Sequence, residues 1–194
     1  MSKLVLILGG ARSGKSTFAE RLARQSGKPV AFIATATAED EEMRLRIQRH
    51  RAARPAEWLT IEEPVDIASA ITSAATRADV LLLDCMTLWL DNWLSQQGVT
   101  GQEEFLADTR YSNDVLLAID KVLQACTALP EQKSLIVVSN EVGAGIVPAY
   151  ALGRLYRDLL GLVNQRLAQA ATHVYLMVAG LGVDIKRLHE EASL

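Results

Sequence analysis

The sequence predicts an α/β fold with a mainly parallel central sheet flanked by helices. Two observations carry this expectation. Five short apolar runs, at 3–8, 30–35, 80–84, 134–139 and 173–179, have the length and near-continuous hydrophobicity of strands buried on both faces. Longer segments of helical periodicity lie between them, the alternation that builds strand–helix–strand units.

Each element has its own signal. The run at 3–8 leads into a glycine-rich stretch and a helix over 15–26. After the strand at 30–35, a helix over 39–53 opens with Glu and Asp and closes with Arg, matching the helix dipole, and Pro55 stops it. "WLTIEE" (58–63) reads as a weaker strand, followed by helices at 65–77 and, after the strand at 80–84, at 86–96. "SQQGVTGQ" is the clearest loop. Helices at 103–127 and 150–171 flank the strand at 134–139, and "GVDIK" (182–186) is a short final strand. With no repeat, low-complexity tract or dividing linker, residues 1–194 read as one catalytic domain.

Composition narrows the function. Apolar residues make up 49% and charged residues 22%, so a full core is available, and the net charge of −3 gives no basic field for a nucleic-acid partner. Two cysteines, Cys85 and Cys126, sit in apolar segments without metal-ligand spacing and read as buried reduced thiols of a cytoplasmic protein. The run "DVLLLDCMTLWLDNWL" is interrupted by Asp84 and Asp91, so no membrane span is expected.

"LILGGARSGKST" (6–17) carries the chemistry. Gly9, Gly14, Lys15 and Ser16 fit GxxxxGK[ST], after a strand and at the start of a helix. Glycines let backbone N–H groups curl around a polyphosphate, and the helix N-terminus adds partial positive charge. Lys15 should reach the β- and γ-phosphates, and the Ser16 hydroxyl should meet Mg²⁺. Chance yields such a match in roughly one chain in a hundred of this length, and fewer in this strand–helix context. "VLLLD" places Asp84 where a metal-organising acid belongs, although an N-cap for the next helix would use the same residue. Asn140 and Glu141 end the strand at 134–139. They suit either substrate binding or ordinary turn chemistry.

The stretch "EEMRLRIQRHRAARPAEW" sets His50 among Arg46, Arg49, Arg51 and Arg54. Met43, Ile47 and His50 share one helical face, with His50 at its end. Guanidinium groups suit phosphate oxygens and should disfavour the imidazolium, leaving a nitrogen able to attack phosphorus. A solvated helix whose arginines pair with residues 39–42 accounts for the same pattern. The residues alone lead to a P-loop phosphotransferase or nucleoside triphosphatase.

"GGARSGKS", "IATA", "RIQRHRAARPAEW", "LLLDC", "NEVGAGIVP" and "VNQRLA" occur in this order. Together they resemble the bifunctional adenosylcobinamide kinase/adenosylcobinamide-phosphate guanylyltransferase family of cobalamin biosynthesis, from about Lys3 to Lys186. The resemblance implies a RecA-like P-loop domain assembled as a homotrimer. Its substrates would be adenosylcobinamide and adenosylcobinamide phosphate, served by ATP, GTP and Mg²⁺. It implies phosphorylation of the aminopropanol hydroxyl, then GMP transfer through a GMP-histidine intermediate at His50. By position, Gly9, Gly10, Ala11, Arg12, Ser13, Gly14, Lys15 and Ser16 match the triphosphate loop. Ala34, Thr35 and Ala36 match one nucleotide-contact segment, and Arg51, Ala52, Ala53 and Arg54 match another. Glu62 and Asp84 match nucleotide-contact acids. Where some relatives carry a second histidine this chain has Arg49, so His50 is the segment's one candidate nucleophile.

Overall fold

The computed structural model describes residues 3–38, 41–99 and 109–192, without the side chains of Glu42, Met43, Arg46, Ala53 and Thr109. In chain order the elements are β1 (Lys3–Gly9), α1 (Lys15–Gln25), β2 (Val30–Ala34), α2 (Glu41–Ala53), β3 (Leu59–Glu62), α3 (Ile67–Ala74) and β4 (Val80–Asp84). Then follow α4 (Met86–Gln96), α5 (Thr109–Thr127), β5 (Ser134–Val138), α6 (Ala151–Ala170), β6 (His173–Val178), β7 (Leu181–Asp184) and α7 (Ile185–Glu191). The expected helical residues 39–40 and 103–108, and Thr100 to Gln102 of the expected loop, lie outside the described residues.

The seven strands form one sheet in the order β3-β2-β4-β5-β1-β6-β7. All neighbours pair in parallel except β6 and β7, which form an antiparallel hairpin at one edge. Side-chain alternation divides the core between the two faces. Leu4, Leu6 and Leu8 of β1 join Ile33, Leu81, Leu83, Leu135 and Val137 beneath α3, α4, α5 and α6. Val5 and Ile7 join Phe32, Val80, Leu82, Ile136 and Val138 against α1, whose Ala19 and Ala23 permit close approach. Burial on both faces is why these strands read as continuous apolar runs.

Element ends follow local chemistry. The helix expected at 65–77 begins only at Ile67, because Asp66 is its N-cap and accepts the Ser69 N–H. The expected strand over 182–186 ends at Asp184, whose carboxylate caps α7 by accepting the Arg187 N–H. Ile185 and Lys186 are therefore helical. Ser95 and Gln96, claimed both by the helix expected at 86–96 and by the expected loop, complete the last turn of α4. Among the described residues, no helix is long and apolar enough to cross a membrane.

A buried polar link ties α6 to the carboxyl end of β5. Asn164 accepts from the Ser139 hydroxyl at 2.6 Å and donates to the Asn140 carbonyl at 3.0 Å. Asn164→Leu keeps the bulk but leaves both groups unpaired. We expect a loss of about 2 kcal/mol in urea unfolding. A loss below about 0.5 kcal/mol would mean the link contributes little.

Candidate active site

The register of the sheet assembles one row of residues along its carboxyl edge. Ala34 at the end of β2 pairs with Glu62 of β3 on one side and Asp84 of β4 on the other. Backbone bonds extend the row past the strands: Thr35 N–H donates to Asp84 O at 3.2 Å, and Glu63 N–H to Ala34 O at 2.9 Å. Across β5, the end of β1 delivers the glycine loop to the same edge, where Glu141 N–H donates to Gly9 O at 3.0 Å.

Within that loop Gly14 is the N-cap of α1 with φ 93°, a left-handed conformation that disfavours any side chain. Lys15 is buried and donates to the Gly10 carbonyl at 2.6 Å, folding the ammonium back over its own loop. Burial lowers its pKa, and the charge of Asp84 opposes that shift. The Ser13 hydroxyl is buried without a protein partner.

Ser16, Ala34, Ala36, His50, Arg51, Arg54, Glu62 and Asp84 line one cavity of about 200 Å³, together with Phe32, Ala38, Ile47, Cys85 and Leu88. Arg54 stacks its guanidinium on the Phe32 ring at 3.4 Å, and its Nε is buried without a partner. Burial lowers the Arg54 pKa, while Asp84 and Glu20 raise it. Arg51 reaches Glu62 at 3.4 Å in an exposed pair worth at most about 1 kcal/mol. His50 is exposed near the end of α2.

Several expected residues lie elsewhere. Ala11, Arg12 and Ala52 are exposed and off the cavity, as is Arg49. The side chains of Met43, Arg46 and Ala53 are outside the described set, so the face expected to combine Met43, Ile47 and His50 is seen only as Ile47 and His50. Of the arginines around His50, Arg51 pairs with Glu62 rather than with residues 39–42, and Glu41 pairs with Arg44. Asp84 is not a helix cap: Cys85 holds that position, without a side-chain cap bond. Glu141 lines a second groove and accepts Gly143 N–H at 2.6 Å, and the Asn140 backbone N–H donates to the Thr87 hydroxyl at 3.1 Å.

Thr35 is fully buried and does not line the cavity. Its hydroxyl donates to the Cys85 carbonyl at 2.8 Å and accepts the Cys85 N–H at 2.8 Å. Asn92 of α4 donates to the Thr35 carbonyl at 2.8 Å. This hub fixes the backbone that carries Asp84, a role that residue type alone did not reveal. Cys85 corrects another expectation: it is half-buried and lines the cavity, whereas Cys126 is buried. Burial, and next the Asp84 charge, push the Cys85 thiol up to about 11. Phe32 and Leu88 were also missed as site residues. Strand alternation places Phe32 on the same side as Ala34, a usable signal.

A glycine loop between β1 and α1, a Lys-Ser pair opening that helix and an acid ending a nearby parallel strand define a P-loop nucleotide-binding protein of RecA-like architecture. The model of the cobinamide kinase / cobinamide phosphate guanyltransferase family matches residues 5–185, and the chain belongs to that family. It is 45% identical over 184 residues to the bifunctional adenosylcobalamin biosynthesis protein CobP of Pseudomonas aeruginosa, covering 93% of this chain and 96% of that protein. It is 41% identical over 186 residues to CobU, the protein so described in Salmonella typhimurium, covering 94% of this chain and 99% of that one. Among solved structures, an ATPase of the type III secretion system of pathogenic bacteria superposes with TM-score 0.55 at 12% identity, over 96% of this chain and 57% of that one. EscN, the type III secretion ATPase of enteropathogenic E. coli, gives 0.53 at 13% identity, over 98% of this chain and 45% of that one. These two structures share the fold.

Two predictions follow from the Thr35–Cys85 hub. Thr35→Val should cost about 1–3 kcal/mol in urea unfolding and weaken nucleotide binding in titration, with Thr35→Ser restoring both. Unchanged binding in Thr35→Val would remove the hub from the site. The thiol sets a pH dependence: folded Cys85 keeps its proton to about 11 against 9.0 for the free group. Its contribution is full below the lower value and is lost as pH rises between the two, because there only the folded state holds the proton. Comparing wild type with Cys85→Ala at pH 8 and pH 10 should isolate a wild-type loss of roughly 1 kcal/mol.

Proposed function

We propose that this chain phosphorylates adenosylcobinamide with ATP or GTP and then transfers GMP from GTP to the product, giving adenosylcobinamide-GDP and pyrophosphate. One juxtaposition carries the reading: His50, Ser16 and Asp84, from α2, the phosphate loop and β4, line the same cavity. Family membership supplies the substrate class.

In the first reaction the aminopropanol hydroxyl attacks the γ-phosphorus, and the nucleoside diphosphate leaves. The loop N–H groups and Lys15 bear the charge on the transferring phosphoryl, once Lys15 exchanges its Gly10 carbonyl for phosphate oxygens. In the second, the His50 nitrogen attacks the α-phosphorus of GTP. A P–N bond forms, the bond to the bridging oxygen breaks, and pyrophosphate departs. An oxygen of adenosylcobinamide phosphate then attacks the same phosphorus, and the imidazole is regenerated. Arg51 and Arg54 are suited to the phosphate oxygens during both halves. His50 must come within about 3–3.5 Å of the α-phosphorus.

The site chemistry fits Mg²⁺. Ser16 and Asp84 offer hard oxygens, and among the described residues no cluster of three or more His, Cys, Asp or Glu side chains forms a complete metal cage. That suits an ion that takes further ligands from phosphates and water. When bound there, it would neutralise phosphate charge. The reading extends to a cytoplasmic homotrimer, for which sedimentation equilibrium tests the assembly.

Incubation with α-labelled GTP should give an acid-labile, base-stable GMP adduct on wild type and none on His50→Ala. The same variant should lose GMP transfer by about 10³-fold or more and still phosphorylate adenosylcobinamide. Lys15→Ala should lower phosphoryl transfer by roughly 10²–10³. A wild type that binds GTP but forms no adduct would defeat the guanylyltransferase half.

A further inference from the structure

The β6–β7 hairpin lies against the phosphate loop at three points. The Gly180 N–H in its turn donates to the Ser13 carbonyl at 2.9 Å. Gly14 approaches so closely that a Cβ there would stand 3.1 Å from Gly180 Cα, and a Cβ on Gly9 would stand 2.6 Å from the Met177 carbonyl oxygen. The contact continues onto α1, where Phe18 packs on Tyr175 with ring centroids 5.1 Å apart. A Cβ on Gly182 would meet the Phe18 ring at 3.1 Å.

We propose that the Ala179–Gly180 turn is a positioning element for the nucleotide site, with Gly180 its key residue. The peptide joining Ser13 and Gly14 is planar and trans, so its carbonyl and its N–H point in opposite directions. Holding the Ser13 carbonyl on Gly180 therefore aims the Gly14 N–H away from the hairpin. A phosphate loop works through the aim of such N–H groups. The turn makes this contact in a left-handed conformation: Ala179 has φ 50° and Gly180 φ 84°. The inference rests on reading the loop as a nucleoside triphosphate site, and it adds that a hairpin remote in sequence sets the loop's geometry.

A matched pair of substitutions tests it. Gly180 and Gly27 both have left-handed φ, 84° and 64°, and a Cβ at either meets nothing within 4 Å. An alanine at each puts a side chain on left-handed backbone without a clash, but Gly27 lies in the turn after α1, at the end opposite the loop. Binding of a fluorescent GTP analogue and urea midpoints are measured for wild type, Gly180→Ala, Gly27→Ala and Gly180→Asn. Both alanine variants should lose similar stability. Gly180→Ala alone should bind the analogue about fivefold more weakly. Gly180→Asn, which tolerates left-handed backbone and retains the N–H, should restore binding to within about twofold of wild type. Unchanged affinity in Gly180→Ala, equal weakening in Gly27→Ala, or no recovery in Gly180→Asn overturns the proposal. A wild type that binds the analogue but forms no His50 adduct would defeat the transfer chemistry and leave the brace standing. A wild type that binds no analogue defeats both.

Discussion

Strand β4 is hydrogen-bonded to β2 on one side and β5 on the other, and Leu81, Leu82 and Leu83 within it are fully buried. Its last residue is consequently fixed in height and direction, and Asp84 emerges where the apolar run stops. The same holds for β2, whose five residues are all buried up to Ala34. A parallel sheet covered on both faces has no room for polar side chains along its length, so its chemistry collects where the strands end. Without that double burial there would be no row of Glu62, Ala34 and Asp84.

The electrostatics of the site follow from the same constraint. Lys15 and Arg54 are both driven out of water by packing, which works against their charges, and Asp84 partly compensates each of them. Glu20 and Glu62 also act on Arg54. Phosphate oxygens suit both desolvated cations, because each gains from a further charged hydrogen-bond acceptor. The stacking of Arg54 on Phe32 stiffens one of these cations.

Backbone precision comes from polar links. Thr35 spends its hydroxyl on the Cys85 peptide, Asn164 ties Ser139 to Asn140, and Gly180 holds the Ser13 carbonyl. Each link joins a segment near the site to an element distant in sequence. His50 is built differently: it rides on an exposed helix beyond the sheet, beside the cavity. The phosphate loop and the histidine therefore belong to different mechanical regimes, one braced by the core and one carried at its margin.

Much of this was legible in the residues, because its causes are local. Hydrophobic runs mark strands, and glycine spacing before Lys15 and Ser16 marks the loop, since both depend on conformational preferences of adjacent residues. The family motifs also brought His50 to attention before any geometry was known. Strand order and register were not legible. They decided that Cys85 rather than Asp84 stands at the start of α4, that Thr35 bonds the Cys85 peptide, and that residues near 180 lie on a loop near 13. Such facts depend on which strands become neighbours, and that is settled by the mutual burial of segments far apart in the chain, a quantity no short stretch of sequence contains.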